Sequence, residues 1–192
     1  MTEIKRETKE TKIVVKVDIN GEGITQISTG VGFFDHMLET LAKHSGISME
    51  IFCDGDIDVD YHHTVEDVGI VLGQALYKEV FPIKNIERFS NVIAILDEAA
   101  VEVDLDISGR PYLVYEMPRD GAIRDFDLEL VEEFFKSLVF NFKISAHIIY
   151  KRGTNKHHII ESAFKSFAVA LRRALAYRES GIPSTKGVLW LS

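Results

Sequence analysis

The sequence predicts an α+β fold of two similar half-domains from an internal duplication, each a sheet with helices on one face. Two kinds of segment recur in the same order in both halves: runs that alternate apolar and polar residues, typical of half-buried strands, and runs with a helical apolar stripe. In addition, the pattern His-His-x-x-Glu stands at residues 62–66 and again at 157–161. The elements alternate without the regular crossovers of a doubly wound sheet, which favours α+β.

The first half-domain is predicted to span residues 1–84. Its strand at 15–21 ends on a glycine turn, and its helix at 31–44 has one apolar face. A second strand at 47–53 and a closing helix at 64–80 follow. The first ten residues, which end at Glu10, are rich in charge and precede the first predicted strand.

The second half-domain, residues 85–192, repeats this order after a break at Phe81-Pro82-Ile83-Lys84-Asn85. The corresponding elements are a strand at 103–109, a helix at 127–142, a strand at 144–150 and a helix at 159–178. An Ile-Ser pair recurs at 47 and 144, and the His-His pair at 62 and 157, so the second turn is shorter by two residues. A turn accommodates such a difference.

Composition excludes several classes of protein. The 192 residues are 46% hydrophobic, enough for a buried core, and the net charge of -8 argues against nucleic-acid binding. No signal peptide or membrane-spanning run is present, so we expect a soluble, cytoplasmic protein without a membrane partner. The single cysteine, Cys53, cannot form an internal disulfide and is interpreted as a small buried hydrophobe.

The repeated His-His-x-x-Glu pattern predicts a metal site. Imidazole and carboxylate are common ligands of divalent transition metals, and a His and a Glu four residues apart share one face of a helix. A single His-His pair is more often a helix start or a surface feature, but the repetition favours metal binding. Four histidines and two glutamates exceed the needs of one tetrahedral ion, so we expect more than one ion where the copies meet.

Two further histidines are candidate ligands. His36 lies in a mostly apolar helix start, and His147 lies in a predicted strand. Alone, each would more often be a hydrogen-bonded core residue; beside the repeated pattern, both are predicted to bind metal. His44 is interpreted as a C-terminal helix residue favoured by the helix dipole.

Because one small domain cannot easily enclose two ions and a substrate, we expect a symmetric homo-oligomer in which a neighbouring subunit completes each site.

Several long motifs, in order along nearly the whole chain, resemble the imidazoleglycerol-phosphate dehydratase family of histidine biosynthesis. They include residues 8–11, 29–38, 60–67, 96–99, 108–111, 155–161 and 183–187. The resemblance implies two similar α+β halves, an assembly of about 24 subunits and two manganese ions (Mn²⁺) per active site. The metal ligands that it implies are His36, His62, His63, Glu66, His147, His157, His158 and Glu161.

The same resemblance implies the remaining site residues. Glu10 would act as the acid or base, with Asp97 and Glu98 near the substrate. From the sequence alone Glu10 is an ordinary charge at a strand end, whereas Asp97 and Glu98 interrupt an apolar run, where burial without partners would be costly. Arginine and lysine donors suit a phosphate group. The predicted phosphate ligands are Arg88, Arg110, Lys165, Ser184 and Lys186.

The implied reaction removes water from imidazoleglycerol phosphate, a small phosphorylated imidazole, and yields imidazoleacetol phosphate. Two other functions fit the same ligands. A dinuclear metallohydrolase would use them to generate hydroxide from bound water, and a metal-storage or structural shell would bind ions without catalysis.

Overall fold

The computed structural model describes residues 1–179, 181, 183 and 184, and over these the chain forms two four-stranded sheets and four helices. In the first half, strands β1, β2, β4 and β3 lie in that order, with β3 parallel to β4 and the other pairs antiparallel. The elements are β1 (Thr2–Glu7), β2 (Thr11–Asp18), β3 (Thr25–Ser28), α1 (Gly32–Ser45), β4 (Ser48–Gly55) and α2 (His62–Val80).

The second half repeats this topology. Its sheet has the order β5, β6, β10, β7, and again only the last pair is parallel. A short hairpin, β8 with β9, is added before the third helix. The elements are β5 (Phe89–Leu96), β6 (Ala99–Asp106), β7 (Tyr112–Glu116), β8 (Ala122–Ile123), β9 (Phe126–Asp127), α3 (Glu129–Phe142), β10 (Ser145–Arg152) and α4 (Lys156–Ala174).

Each sheet has one face buried under helices and one face turned outward. On β6, Val101, Val103 and Leu105 are buried while Glu102 and Asp104 between them are not, as expected when successive side chains point to opposite faces. Helix α2 packs on β1, β2 and β4, and α4 packs on β5, β6 and β10. The predicted fold class, two halves with helices on one face of each sheet, is confirmed.

The helices also join the two halves, because they pack in pairs across the molecule. Helix α1 lies against α4, and α2 lies against α3. Phe34 of α1 meets Phe134 of α3 edge-on, and Phe134 stacks on Phe164 of α4. All three rings are buried in one core that contains residues of both halves. The packing of the halves therefore fixes where the ends of α1 and α4 lie.

Some element boundaries differ from the sequence-based expectation. The strand predicted at 15–21 is β2, which begins at Thr11 and ends at Asp18. It ends there because the Asp18 side chain accepts from the Asn20 amide at 3.0 Å and the Asp18 carbonyl accepts from the Gly21 amide at 3.1 Å. Local hydrogen bonds of this kind compete with a sheet ladder. The strand predicted at 103–109 is shifted in the same direction, to β6.

The last helix is shorter than predicted and the edge strands were not predicted. Helix α4 ends at Ala174 rather than at residue 178, because the carbonyl of Ala174 accepts from the Arg88 amide at 2.8 Å. Strand β1, in the charged first ten residues, forms because it pairs along its whole length with β2. Its period-2 pattern was masked by charged residues on both faces.

No helix in the described part of the chain has the length and apolarity needed to cross a membrane.

Cys53 on β4 is partly buried. Burial raises the pKa of its thiol to about 11. The thiol is therefore protonated at neutral pH, in keeping with a packing role rather than a nucleophilic one.

Two glycines of α2 permit the close approach of α3. A Cβ added to Gly69 would lie 2.9 Å from the carbonyl oxygen of Phe134, and one added to Gly73 would lie 2.7 Å from that of Leu138. These neighbours are backbone atoms of a packed helix, which cannot move as a flexible side chain can.

We expect Gly69→Ala to destabilise the protein by up to about 2 kcal/mol. Overpacking costs about 1–3 kcal/mol, whereas alanine in place of glycine gains at most about 1 kcal/mol of helix propensity. Denaturant-induced unfolding measures the difference. Gly32→Ala, at a helical position where an added Cβ meets nothing within 4 Å, is the matched control. Equal stability of the two variants would show that the helices separate without cost.

Candidate metal and substrate site

Among the residues that the structure describes, one cluster of potential metal ligands is assembled where α1 of the first half meets α4 of the second. His36 Nε2 lies 3.6 Å from Glu161 Oε2, and His157 Nε2 lies 3.1 Å from the same oxygen. The three ligand atoms all lie within 4.8 Å of one another. Two imidazoles and a carboxylate are a donor set that fits a divalent transition metal, so the residues present suit the ion that the sequence predicts.

The start of α4 is fixed by its flanking residues. Asn155 is the N-cap, and its side-chain oxygen accepts from the backbone amides of His157 and His158 at 2.9 and 3.4 Å. The ring of Phe33 lies edge-on to that of His157, with centroids 5.4 Å apart. The orientation of His157 is therefore set by Asn155, which caps its own helix, and by the Phe33 side chain on α1.

Lys165 lies one turn beyond Glu161 on α4, and its Nζ is 2.7 Å from Glu161 Oε1. Burial raises the pKa of Glu161, but hydrogen bonding and charge attraction from Lys165, with His36 and His157, bring the net pKa below the ordinary glutamate value. Glu161 is therefore a carboxylate at neutral pH, the form in which it could bind a cation.

In the first copy of the pattern, at the start of α2, the His and the Glu again lie on one helix face, but they have different neighbours. His62 Nε2 lies 3.9 Å from Glu66 Oε2 on α2, and both side chains are partly exposed. Asp60 accepts from the His62 backbone amide at 2.7 Å, which supports the helix start as Asn155 does on α4. Within the described residues, no third His, Cys, Asp or Glu joins this pair to form a cluster.

The second histidine of each copy is held by a carboxylate. His63 Nδ1 lies 3.0 Å from Asp56 Oδ2, and His158 Nδ1 lies 2.8 Å from Glu98 Oε2. The hydrogen bond to each carboxylate raises the pKa of the histidine above its ordinary value. The hydrogen bond from His158, with backbone amides of Asn155 and Thr154, holds the pKa of Glu98 well below its usual range.

Two other predicted carboxylates stand in the turns before β2 and β6. Glu10 Oε1 is 3.9 Å from His63 Nε2, and Asp97 Oδ2 is 4.0 Å from His158 Nε2. Both side chains are more than half exposed. Asp97 has a positive φ of 47°, a left-handed conformation that the tight β5–β6 turn imposes.

His147 stands apart from this group. It is exposed on β10, between the buried residues Ala146 and Ile148, so its side chain leaves the sheet on the face opposite the helices. The other predicted ligands are carried at the helix ends. The chain by itself therefore does not gather the eight predicted ligands at one point.

The predicted phosphate ligands fall into two groups. Arg88 is buried, and its guanidinium donates to both oxygens of Asp106, at 2.7 and 3.1 Å, and to the carbonyl of Pro183 at 3.0 Å. Arg110 Nη2 lies 3.8 Å from Asp106 as well, with a mostly exposed side chain. Lys165 belongs instead to the α1–α4 cluster. Ser184 follows Pro183 and is described, whereas Lys186 lies outside the described residues.

Three residues that shape the site were not predicted from the sequence. Asp56 and Asp106 each hold a predicted site residue, His63 and Arg88, and neither has a sequence signal that separates it from the many other aspartates. Asn155 begins one of the family motifs, residues 155–161, but no role was predicted for it. Its position immediately before a helix that opens with the repeated pattern is a sequence signal for an N-cap.

Comparison with known proteins gives concordant matches. The family model for imidazoleglycerol-phosphate dehydratase matches residues 29–171. The imidazoleglycerol-phosphate dehydratase of Nautilia profundicola is 81% identical over 98% of this chain and 100% of its own length. That of Nitratiruptor sp. is 58% identical, again over 98% and 100%.

Solved structures agree with these sequence matches. The crystal structure of imidazoleglycerol-phosphate dehydratase from Staphylococcus aureus superimposes with a TM-score of 0.82 at 38% identity, covering 92% of this chain and 98% of that one. A structure from Pyrococcus furiosus gives a TM-score of 0.84, also at 38% identity, and covers 97% of this chain and 100% of its own.

We expect His36→Ala to weaken Mn²⁺ binding by at least about tenfold, since even indirect partners of metal ligands contribute about 10–100-fold to affinity. A titration followed by electron paramagnetic resonance measures free and bound Mn²⁺. His44→Ala changes the same residue type near the far end of the same helix, outside the cluster, and should bind Mn²⁺ as the unmodified protein does. Equal affinity of the two variants would exclude His36 as a ligand.

Proposed function

The chain belongs to the imidazoleglycerol-phosphate dehydratase family, and from this membership we propose that it removes water from imidazoleglycerol phosphate to give imidazoleacetol phosphate. The enzyme is a hydro-lyase of histidine biosynthesis. The observation that supports the metal-dependent form of this reaction is the His36–His157–Glu161 cluster, which the two halves build together. A cytoplasmic location stays a prediction from the sequence.

The proposed cofactor is a pair of Mn²⁺ ions in each active site. Histidine and carboxylate donors suit several divalent metals, so manganese is proposed on the family resemblance. When bound, the ions would stabilise the substrate's ring as imidazolate, whose electrons would help to expel the hydroxyl from the neighbouring carbon. The proposed ligands are His36, His62, His63, Glu66, His147, His157, His158 and Glu161.

Glu10 is proposed to move the proton in this reaction. Its carboxylate is exposed in the turn before β2, and its Oε1 is 3.9 Å from Nε2 of the proposed ligand His63. A base in this position would be close to a ring bound at the metals, and it would take the proton from the carbon next to the ring-bearing carbon. Asp97, in the corresponding turn of the second half, is proposed to contact the substrate.

The arginine pair and the metal cluster of one chain are proposed to serve different active sites. The register of β5 and β6 places Arg88 and Asp106 at one end of the second sheet and Glu98 at the other. The eight residues of each strand, seven steps of about 3.3 Å, separate these ends by roughly 23 Å. That distance exceeds the length of a small phosphorylated imidazole. Arg88, Arg110, Lys165, Ser184 and Lys186 are proposed as phosphate ligands shared between subunits.

An assembly of subunits, proposed at about 24 on the family resemblance, would supply the missing neighbours. His147 faces outward from the second sheet, where a ligand is useful only to another copy of the chain. On the same sheet, the β5 side chains of Ile93 and Ile95 are 52% and 64% exposed. Apolar side chains on an outer sheet face suit burial against a partner subunit.

We expect Glu10→Gln to lower turnover of imidazoleglycerol phosphate by about 10²–10⁴-fold, because a positioned general base contributes about that much. The ketone product, measured as its enol, reports the rate. Glu7→Gln, which removes an exposed carboxylate of the same hairpin, is the matched control and should leave the rate unchanged. Full activity of Glu10→Gln would remove Glu10 from the mechanism.

The same assay separates the dehydratase from the metallohydrolase. Enzyme loaded with Mn²⁺ should form the ketone from imidazoleglycerol phosphate and leave a simple phosphate ester intact. Ester hydrolysis without ketone formation would support the hydrolase, and neither activity would support a storage or structural shell.

We expect removal of metal to weaken the assembly, since ions shared between subunits stabilise only the assembled state. Light scattering after size-exclusion chromatography should show a smaller particle in the presence of a chelator and recovery when Mn²⁺ is added back. Chelator already saturated with Mn²⁺ is the control. A particle of unchanged mass after complete metal removal would show that the ions do not hold subunits together.

A further inference from the structure

The duplication places Glu10 and Glu98 at equivalent points of the two halves. Glu10 is the residue before β2 and Glu98 the residue before β6, each in the turn of the first hairpin of its half. The surroundings also correspond. A Cβ added to Gly55 would meet Thr64 and Thr11, and one added to Gly153 would meet Ile159 and Ala99. In both halves the hairpin, the strand end and the helix start pack in the same way.

The contacts of the two carboxylates nevertheless differ. In the second half, Glu98 Oε1 accepts from the backbone amides of Thr154 and Asn155 at 3.0 and 2.8 Å, while Oε2 lies 2.8 Å from His158 Nδ1. Both oxygens are thus engaged. This carboxylate ties the β5–β6 turn to the start of α4 and to one histidine.

In the first half, another residue holds the histidine. Asp56, from the segment between β4 and α2, places its carboxylate oxygens 3.0 and 3.2 Å from His63 Nδ1. Its backbone amide donates to the carbonyl of Glu10 at 3.1 Å. The Glu10 side chain lies on the other edge of the imidazole, 3.9 Å from Nε2. Glu10 is thereby left with an exposed carboxylate.

We propose that Asp56 and Glu98 are positioning residues that hold the Nδ1 edges of His63 and His158, so that each Nε2 is the metal-binding atom. On this basis Glu98 takes no part in proton transfer, although its counterpart Glu10 does. A neutral imidazole carries one N–H, and a carboxylate at Nδ1 places the proton there and leaves the Nε2 lone pair free. The inference rests on the proposed metal binding, and it gives Glu98 a contact with His158 in place of the position near the substrate that the family resemblance implies.

Glu98→Gln tests this assignment because an amide cannot satisfy all the contacts of the carboxylate. If its oxygen accepts from Thr154 and Asn155, its NH₂ group faces His158 Nδ1 and forces the ring proton onto Nε2. We expect Mn²⁺ affinity to fall by about 10–100-fold, the usual effect of losing a group that is hydrogen-bonded to a metal-binding histidine. Electron paramagnetic resonance titration of Mn²⁺ gives this affinity without any need for turnover.

The first half supplies a matched series. Asp56→Asn can still present its amide oxygen to His63 Nδ1, since both carboxylate oxygens of Asp56 lie beside that atom, and should lose less affinity than Asp56→Ala. Glu10→Gln should bind Mn²⁺ as the unmodified protein does. Thermal unfolding monitored by circular dichroism confirms that each variant is folded before titration.

The outcomes are distinct. Weakened Mn²⁺ binding in Glu98→Gln and Asp56→Ala, with unchanged binding in Glu10→Gln, supports the assignment. Unchanged binding in folded Glu98→Gln overturns it, and so does an equal loss of binding in Glu10→Gln. Failure of the dehydratase proposal would appear separately, as absence of ketone formation by the unmodified protein, and would leave these metal affinities readable.

Discussion

The packing of α1 against α4 is the constraint on which the site depends. His36 comes from one half and His157 and Glu161 from the other, so these three side chains converge only while the two helices are in contact. That contact is maintained by a shared apolar core, in which buried phenylalanine rings of α1, α3 and α4 meet. The polar cluster that could bind a cation is therefore positioned by apolar packing of the helices that carry it.

The two halves have the same backbone arrangement, but side chains at equivalent positions make different contacts. The same hairpin, strand-end glycine and helix start occur in each half. The carboxylate that contacts the second histidine, however, comes from the hairpin turn in one half and from the segment before the helix in the other. One difference at Asp56 changes the environment of Glu10. Backbone equivalence between duplicated sites is therefore a poor guide to the roles of the side chains that they carry.

The parts of the fold that depend on periodicity could be predicted from the sequence. The helices and the central strands bury one face, so their apolar residues recur at fixed spacing, and α1, α2, α3, β4 and β10 lie within a few residues of the predicted bounds. Strand β1 could not be predicted, because its ladder to β2 is a long-range contact and charged residues conceal its alternation. The end of α4 depends on a hydrogen bond from Arg88, distant in sequence, and has no local signal.

For the site, composition and repetition identified candidate ligands but not their grouping. The i and i+4 relation of His157 and Glu161 follows from helix geometry, whereas the addition of His36 depends on how the halves pack. The aspartates that hold His63 and Arg88 were not predicted, since a hydrogen-bonded carboxylate has the same sequence appearance as a solvated one.

The crosswise pairing of the helices also bears on origin. In this chain α1 covers a surface of α4, and α2 covers a surface of α3. A protein of half this length, with only one of the two units, would leave its helix surfaces exposed. Such an ancestor would have needed a second copy of itself to shield them. Gene fusion would then have turned a contact between two molecules into one within a single chain, and only afterwards could the paired positions acquire different residues.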